Sequence, residues 1–292
     1  MDAHAREPVL AVGTNTVLPL ATDFAMDLRD LLCRLVEKHR LVATLVRAPG
    51  DSPVVREKTA VLSERFSHSR AVVAELATDL PPLAGARVLD IGTGVGGMAL
   101  AFASVGADVV ALDVDTAYLR VAREFFSGAR ESARARGVPL GDLLLAQMSG
   151  EALALPDAAF DLAVCSDILE HVPDPVRALG EVYRVLRPGG RVLIRQGFAL
   201  NPDFIRRDPH YGLPLVVLLP RFIRHAVVVR LAQRCARLRD ERWPFTHGHL
   251  RRWLERTGTY RTVRWQPAPV SLGWAAPLAR RAADSTIVLE KV

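Results

Sequence analysis

The spacing of apolar positions changes character along this chain. Ahead of about Thr22 there is little periodic signal. Leu28, Leu31, Leu32, Leu35, Val36, Val42, Leu45 and Val46 then recur at helical spacing, and Ala48-Pro49-Gly50-Asp51 breaks the pattern. The spacing predicts a second helix from near Val54 to Leu80, with Val72, Val73 and Leu76 as its buried stripe and Pro81-Pro82 as its stop. Residues 1–82 are therefore expected to form an N-terminal helical cap ahead of a main domain at 83–292.

From Ala86 the pattern becomes short apolar runs alternating with amphipathic stretches. Strands are predicted at Arg87–Ile91, Asp108–Leu112, Leu143–Met148, Phe160–Cys165 and Arg191–Gln196. Between them lie a helix from Met98 through Phe102 to about Val105, a helix from Asp115 to about Arg136, and one whose face is Val176, Leu179, Val182, Tyr183 and Leu186. The alternation resumes with a helix at His249–Thr257 and strands at Tyr260–Trp265 and Thr286–Glu290. Alternation of this kind implies an α/β fold, a doubly wound and mostly parallel sheet covered by helices on both faces. It is interrupted at about 198–246 by a segment rich in Arg and Pro, expected to be a helical insert after strand five. Within it, Val227, Val228, Leu231, Cys235 and Leu238 would share one helix face and Arg230, Arg234 and Arg237 another.

Composition changes this picture little. The 292 residues are half hydrophobic and about a quarter charged, which excludes a disordered chain. The net charge of +6 comes from Arg spread along the chain, so no nucleic-acid partner is expected. Cys33, Cys165 and Cys235 are far apart and in apolar surroundings, as buried thiols of a reducing compartment would be. The first residues lack a basic-then-apolar leader pattern, and the longest apolar run, Leu213–Pro220, is too short to span a bilayer. A cytoplasmic location is expected; the pattern specifies no oligomeric state.

The candidate chemistry begins at Val88-Leu89-Asp90-Ile91-Gly92-Thr93-Gly94-Val95-Gly96-Gly97, a glycine turn between a strand and a helix. Glycines there permit positive φ and let a ligand approach the backbone. Open parallel sheets bind ligands at the carboxyl ends of their strands, where this turn must lie. By spacing alone, a structural turn or a dinucleotide fingerprint through Gly92, Gly94 and Gly97 also fits. Asp113, at the end of the next strand, can accept both hydroxyls of a ribose in either cofactor class. Asp90 separates the two, because a carboxylate there repels a pyrophosphate and attracts an ammonium.

These residues resemble motif I of the class I, Rossmann-like S-adenosylmethionine-dependent methyltransferases, in particular the small-molecule type 11 group. The similarity continues through Glu151–Asp161, Ser166–Pro175 and Glu181–Gly190, and covers about Gly85–Gln196 together with the last helix and strands. It implies a seven-stranded sheet of order 3-2-1-4-5-7-6. It also implies S-adenosyl-L-methionine as cofactor, with the backbone of Gly92, Thr93, Gly94 and Gly96 and the carboxylate of Asp90 at its amino-acid end. Asp113 would hold the ribose, Val114 and Met148 would flank the adenine, and Asp167 would lie beside the methyl donor. Where the family often has an Asp for the adenine amine, this chain has Ser149, whose hydroxyl can still accept; Glu151 is an alternative.

Two constellations bear on the acceptor. Asp167, Glu170 and His171 are similar to the metal-binding segment of quinone-biosynthesis and RNA-end O-methyltransferases, where a cation would lower the acceptor's pKa. The same residues follow strand four in metal-free relatives, with Glu170 capping or orienting a helix and His171 packing locally; this second reading is preferred, so no metal is expected. His210-Tyr211 in the insert can orient or deprotonate an acceptor, or form a turn with a packed Tyr. His171, His210 and Asp167 are thus the candidate catalytic residues, and His210 and Tyr211 the candidate acceptor contacts; His247 and His249 read as cap and packing residues. The expected reaction is methyl transfer to a small-molecule acceptor, a hydroxyl of a secondary metabolite or sugar. A lipid-linked or anionic acceptor met at a membrane surface, or a non-catalytic cofactor-binding role, is the alternative.

Overall fold

The computed structural model describes residues 22–42, 53–197, 205–206, 213–220, 223–224, 227, 245–266 and 285–292. Three helices come first: α1 (Thr22–Lys38), α2 (Pro53–Ser63) and α3 (Arg65–Glu75). Then follow β1 (Arg87–Ile91), α4 (Gly97–Ala103), β2 (Asp108–Asp113), α5 (Thr116–Ala135), β3 (Leu143–Gln147), β4 (Phe160–Ser166), α6 (Pro175–Val185) and β5 (Leu186–Gln196). After the insert come α7 (His247–Thr257), β6 (Tyr260–Gln266) and β7 (Ser285–Lys291). The seven strands form one sheet in the order 3-2-1-4-5-7-6; β7 runs antiparallel to both its neighbours and the other pairings are parallel. That is the expected order.

Alternation within the strands feeds two cores. Val88, Val109, Ala111, Leu162, Val164 and Leu193 point to one face, where α1, α3, α4 and α5 pack. Leu89, Leu112, Ala163, Cys165, Ile194 and Leu289 point to the other, under α6 and α7. Burial on both faces requires apolar residues at successive strand positions, which is why these strands read as continuous apolar runs. Cys165 lies in the second core, where burial pushes its thiol up to about 12; Cys33 is half-buried and reduced, and Cys235 lies outside the described residues.

Two boundaries differ from the pattern. The helix expected from Val54 to Leu80 is two helices, parted at Glu64 and ending at Glu75. Hydrophobic period alone cannot register such a break, because the buried stripe continues across it as Val55, Phe66, Val72 and Val73. Strand β5 starts at Leu186, five residues before the expected start, and its pairing to β4 jumps from Phe160↔Leu186 to Leu162↔Arg191. Pro188-Gly189-Gly190 therefore interrupts the register instead of separating helix from strand, with Gly189 at φ 74°.

The N-terminal helices share the sheet's first core: Phe24, Leu28, Leu32 and Phe66 are fully buried in it. Helix α1 lies on α5, with Leu31 against Gly128, and Arg136 pairs with Asp27 and Lys38 with Glu124. On the opposite side, Arg184 of α6 donates to the carbonyls of Leu153 and Leu155, both at 2.8 Å, while Glu181 accepts from the Leu153 N–H at 2.8 Å. Through these bonds α6 holds the helix-free connection between β3 and β4 by its backbone. Most of the insert, including its Arg-rich stripe, lies outside the described residues.

Candidate functional site

The carboxyl ends of β1, β2, β3 and β4 meet at the glycine turn. Gly92 and Thr93 both donate to the Leu112 carbonyl at 2.8 Å, so the turn is stitched to the end of β2. Gly92, Gly94 and Gly96 have φ values of 73°, 56° and 85°, in the region that costs an L side chain about 1–2 kcal/mol. Their surroundings differ. A Cβ on Gly92 would stand 2.6 Å from Ile168 and one on Gly96 2.4 Å from the Phe126 ring, whereas one on Gly94 meets only Tyr118, at 4.0 Å. Gly94 therefore presents bare backbone to open space, and its two neighbours are glycine for packing.

Asp113 anchors this backbone. Its Oδ2 accepts from Gly94 N–H at 2.8 Å and its Oδ1 from Asp115 N–H at 2.9 Å. Each oxygen keeps a lone pair, so both can still accept a hydroxyl. Burial raises the Asp113 carboxyl, and the two N–H donors pull against it. Asp115 in turn caps α5, accepting from Ala117 at 2.8 Å.

Asp90 is 2% exposed, and its Oδ2 and the Thr93 Oγ1 are buried without a hydrogen-bond partner. Burial pushes its carboxyl up to about 6, the nearby Thr93 hydroxyl opposes this, and the charge of Asp113 adds to it. A buried acceptor beneath a bare-backbone turn suits a ligand that brings a cation. The ordinary value is 3.8 and the folded value about 6, so Asp90's contribution to stability is fully present below 3.8 and lost as pH rises through 6. Asp90→Asn should accordingly stabilise the cofactor-free protein at pH 7–8 by on the order of 2–3 kcal/mol while weakening cofactor binding. Thermal melts of both proteins between pH 4 and 8 test this; parallel profiles would show that Asp90 is not held uncharged.

Val114 is 61% exposed beside the turn, and its carbonyl accepts from Gln147 Nε2 at 3.1 Å. Met148 donates its N–H to the Asp113 carbonyl at 3.1 Å, which sets the ends of β2 and β3 side by side. The Ser149 hydroxyl accepts from Glu151 N–H at 3.2 Å, and the Glu151 carboxylate is taken up by Asp174 N–H at 2.6 Å. Of these two, Ser149 lies two residues past the end of β3, and Glu151 is engaged in the turn before α6.

The cluster after β4 does not converge. Asp167 sits at φ 52°, donates its N–H to the Arg195 carbonyl at 2.9 Å, and faces Arg65 of α3, with Nη1 to Oδ2 at 3.4 Å. Glu170 lies 3.5 Å from His171 Nε2 instead. Among the described residues no group of three His, Cys, Asp or Glu side chains is arranged to hold a metal ion. His210 and Tyr211 lie outside the described residues. His249 completes the cap of α7 with Thr246, and His247 joins Trp265 Nε1 at 3.2 Å to Ser285 at 3.2 Å.

Sequence reasoning passed over Arg65, His68 and Arg195. The buried Arg195 guanidinium meets His68 at 3.1 Å, next to the Arg65–Asp167 pair. Arg195, directly after the apolar run Val192–Ile194, was the one available signal; Arg65 and His68 read as ordinary polar positions of a helix.

A doubly wound sheet of this order, with one carboxylate at the end of β2 and another buried under a glycine turn, has the architecture of the Rossmann-like class. The comparisons narrow the class. The methyltransferase-domain family model matches residues 89–194. A ubiquinone biosynthesis O-methyltransferase of Thiobacillus denitrificans is 34% identical over 58% of this chain and 72% of its own length. Another, of Paracidovorax citrulli, is 41% identical over 39% of this chain and 44% of its own length, so the matched stretch spans less than half of that relative. An S-adenosylmethionine-dependent methyltransferase from Mesorhizobium loti shares the fold, with a TM-score of 0.51 at 22% identity over 74% of this chain and 96% of that one. The chain belongs to the class I S-adenosylmethionine-dependent methyltransferases, and its cofactor is S-adenosylmethionine.

Proposed function

We propose that the chain transfers the methyl group of S-adenosylmethionine to an oxygen of a small-molecule acceptor, in the cytoplasm. The observation that carries this reading is the pairing of two carboxylates about one turn: Asp90 buried with an open acceptor atom, and Asp113 holding Gly94 while keeping a lone pair on each oxygen. The relatives named as O-methyltransferases support oxygen as the accepting atom. When bound, the cofactor supplies an electrophilic methyl group on its sulfonium. The chain's residues do the rest. Asp90 holds the ammonium end, directly or through water, and the backbone from Gly92 to Gly96 lines that end. Asp113 holds the ribose, Val114 and Met148 flank the base, and Ser149 accepts from its amine.

For an acceptor hydroxyl the chain must align oxygen with methyl and remove a proton, and alignment alone is worth several kcal/mol. Asp167 and His171 stand after β4 and are the candidates for that role among the described residues; His210 and Tyr211 lie outside them. No helix among the described residues is long and apolar enough to cross a membrane.

An acceptor screen with isotopically labelled methyl donor, followed by mass analysis of the products, tests the proposal. Label should appear on oxygen of a small molecule, and turnover should survive EDTA, since Asp167 faces Arg65 while Glu170 faces His171. Turnover lost with chelator and restored by magnesium would assign a metal to those residues; label found only on lipid-linked products would move the acceptor to the membrane surface.

A further inference from the structure

The glycine turn is enclosed from two sides by residues that meet each other. At its start, Ile168 fills the space where a Gly92 side chain would stand, so the segment after β4 lies directly against the turn. At its end, the backbone of Arg65 comes within 2.9 Å of where a Gly97 Cβ would be, so the first residue of α3 lies against the other side. Arg65 and Asp167, each beside one of these contacts, then join through their side chains at 3.4 Å. The turn, α3, the ion pair and the end of β4 are thus joined in a ring of contacts that includes both ends of the turn, with Gly94 between those ends in the chain.

We propose that the Arg65–Asp167 pair is the latch of a gate through which the cofactor's amino-acid end reaches and leaves the turn. The proposal rests on the placement of that end beside Asp90. The helix itself is a fixed post: Phe66 and Val73 are buried in the core, and His68, one helical turn from Arg65, contacts Arg195 of β5. The Arg65 side chain is the moving part. It has several rotatable bonds, is 40% exposed, and holds a carboxylate that is itself 29% exposed. A pair so exposed is weak and salt-sensitive, which suits a contact that must open repeatedly. With the latch shut, the methionine end is screened from water; with Arg65 swung into solvent, it can exchange.

A gate differs from a binding contact in its kinetics. It scales entry and exit alike and leaves the equilibrium nearly unchanged. Stopped-flow binding of S-adenosylhomocysteine to the full chain, with wild type, Arg65→Gln and Arg65→Lys, separates the two. In Arg65→Gln both association and dissociation should quicken by about two- to five-fold, the factor that an exposed pair can supply, with Kd within two-fold of wild type. Arg65→Lys, which keeps the charge, should fall between. Raising salt from 0.05 to 0.5 M, concentrations set by us to shorten the screening length, should quicken wild type more than Arg65→Gln. In an Asp167→Asn background, Arg65→Gln should make no further difference. Unchanged rates in Arg65→Gln would overturn the gate, and so would faster dissociation with unchanged association, which marks a direct ligand contact. Failure of wild type to bind S-adenosylhomocysteine would overturn the cofactor placement and the gate with it, a result distinct from either.

Discussion

Replacing Asp113 with alanine should weaken binding of S-adenosylhomocysteine by about 100-fold or more. The carboxylate is expected to accept two ribose hydroxyls, and each charge-assisted bond contributes roughly 1.5–3 kcal/mol. The same oxygens hold Gly94 and Asp115 by their N–H groups, so the variant also loosens the turn that presents backbone to the cofactor. Asp113→Asn keeps one accepting oxygen and should lose less, about ten-fold if a single such bond is lost. Calorimetric titration measures both affinities, with circular dichroism to confirm the fold. Affinity unchanged by Asp113→Ala in a folded protein would place the ribose elsewhere.

A large effect on stability is expected at Gly96. An alanine there must adopt φ near 85° and push its methyl into Phe126, a ring buried in the first core. Left-handed backbone costs about 1–2 kcal/mol and over-packing about 1–3 kcal/mol, so Gly96→Ala should lose roughly 2–5 kcal/mol. For a chain of this size that lowers the melting temperature on the order of 10 °C. Gly94→Ala is the contrast. Its methyl enters open space, so it should lose only about 1–2 kcal/mol from backbone strain. Its damage should fall on cofactor affinity, because the methyl projects where the ligand approaches the bare backbone. Melting and titration of the two variants side by side test the division; equal losses of stability would show that Gly94 also serves packing.

Much of this arrangement is readable along the chain. The apolar runs Val88–Ile91, Val109–Leu112, Leu162–Cys165 and Val192–Ile194 can be buried on both faces only in a parallel sheet between two helical layers. Asp90, the glycines and Asp113 sit at strand ends by sequence position alone, and in this topology strand ends converge. The meeting of these residues was legible because the parts are local: a turn, the residue before it, and the ends of neighbouring strands.

The residues around Asp167 were not legible in the same way. Asp-x-x-Glu-His places three possible ligands within five positions, yet the backbone at Asp167 turns left-handed and sends its carboxylate toward Arg65, more than a hundred residues earlier. The bond from Asp174 N–H to the Glu151 carboxylate, which ties the β3–β4 connection to the start of α6, likewise leaves no trace in the spacing.

The hydrophobic pattern and the strand-end residues thus determined the sheet, its helical layers and the family's cofactor turn, because period and local geometry are properties of short stretches. Only the tertiary structure decided which glycines face open space and which face a neighbour, that α3 packs against the turn, and that Arg65, His68 and Arg195 gather beside Asp167. Those outcomes depend on which side chains long-range packing brings within a few ångströms, and spacing along one chain carries no record of that.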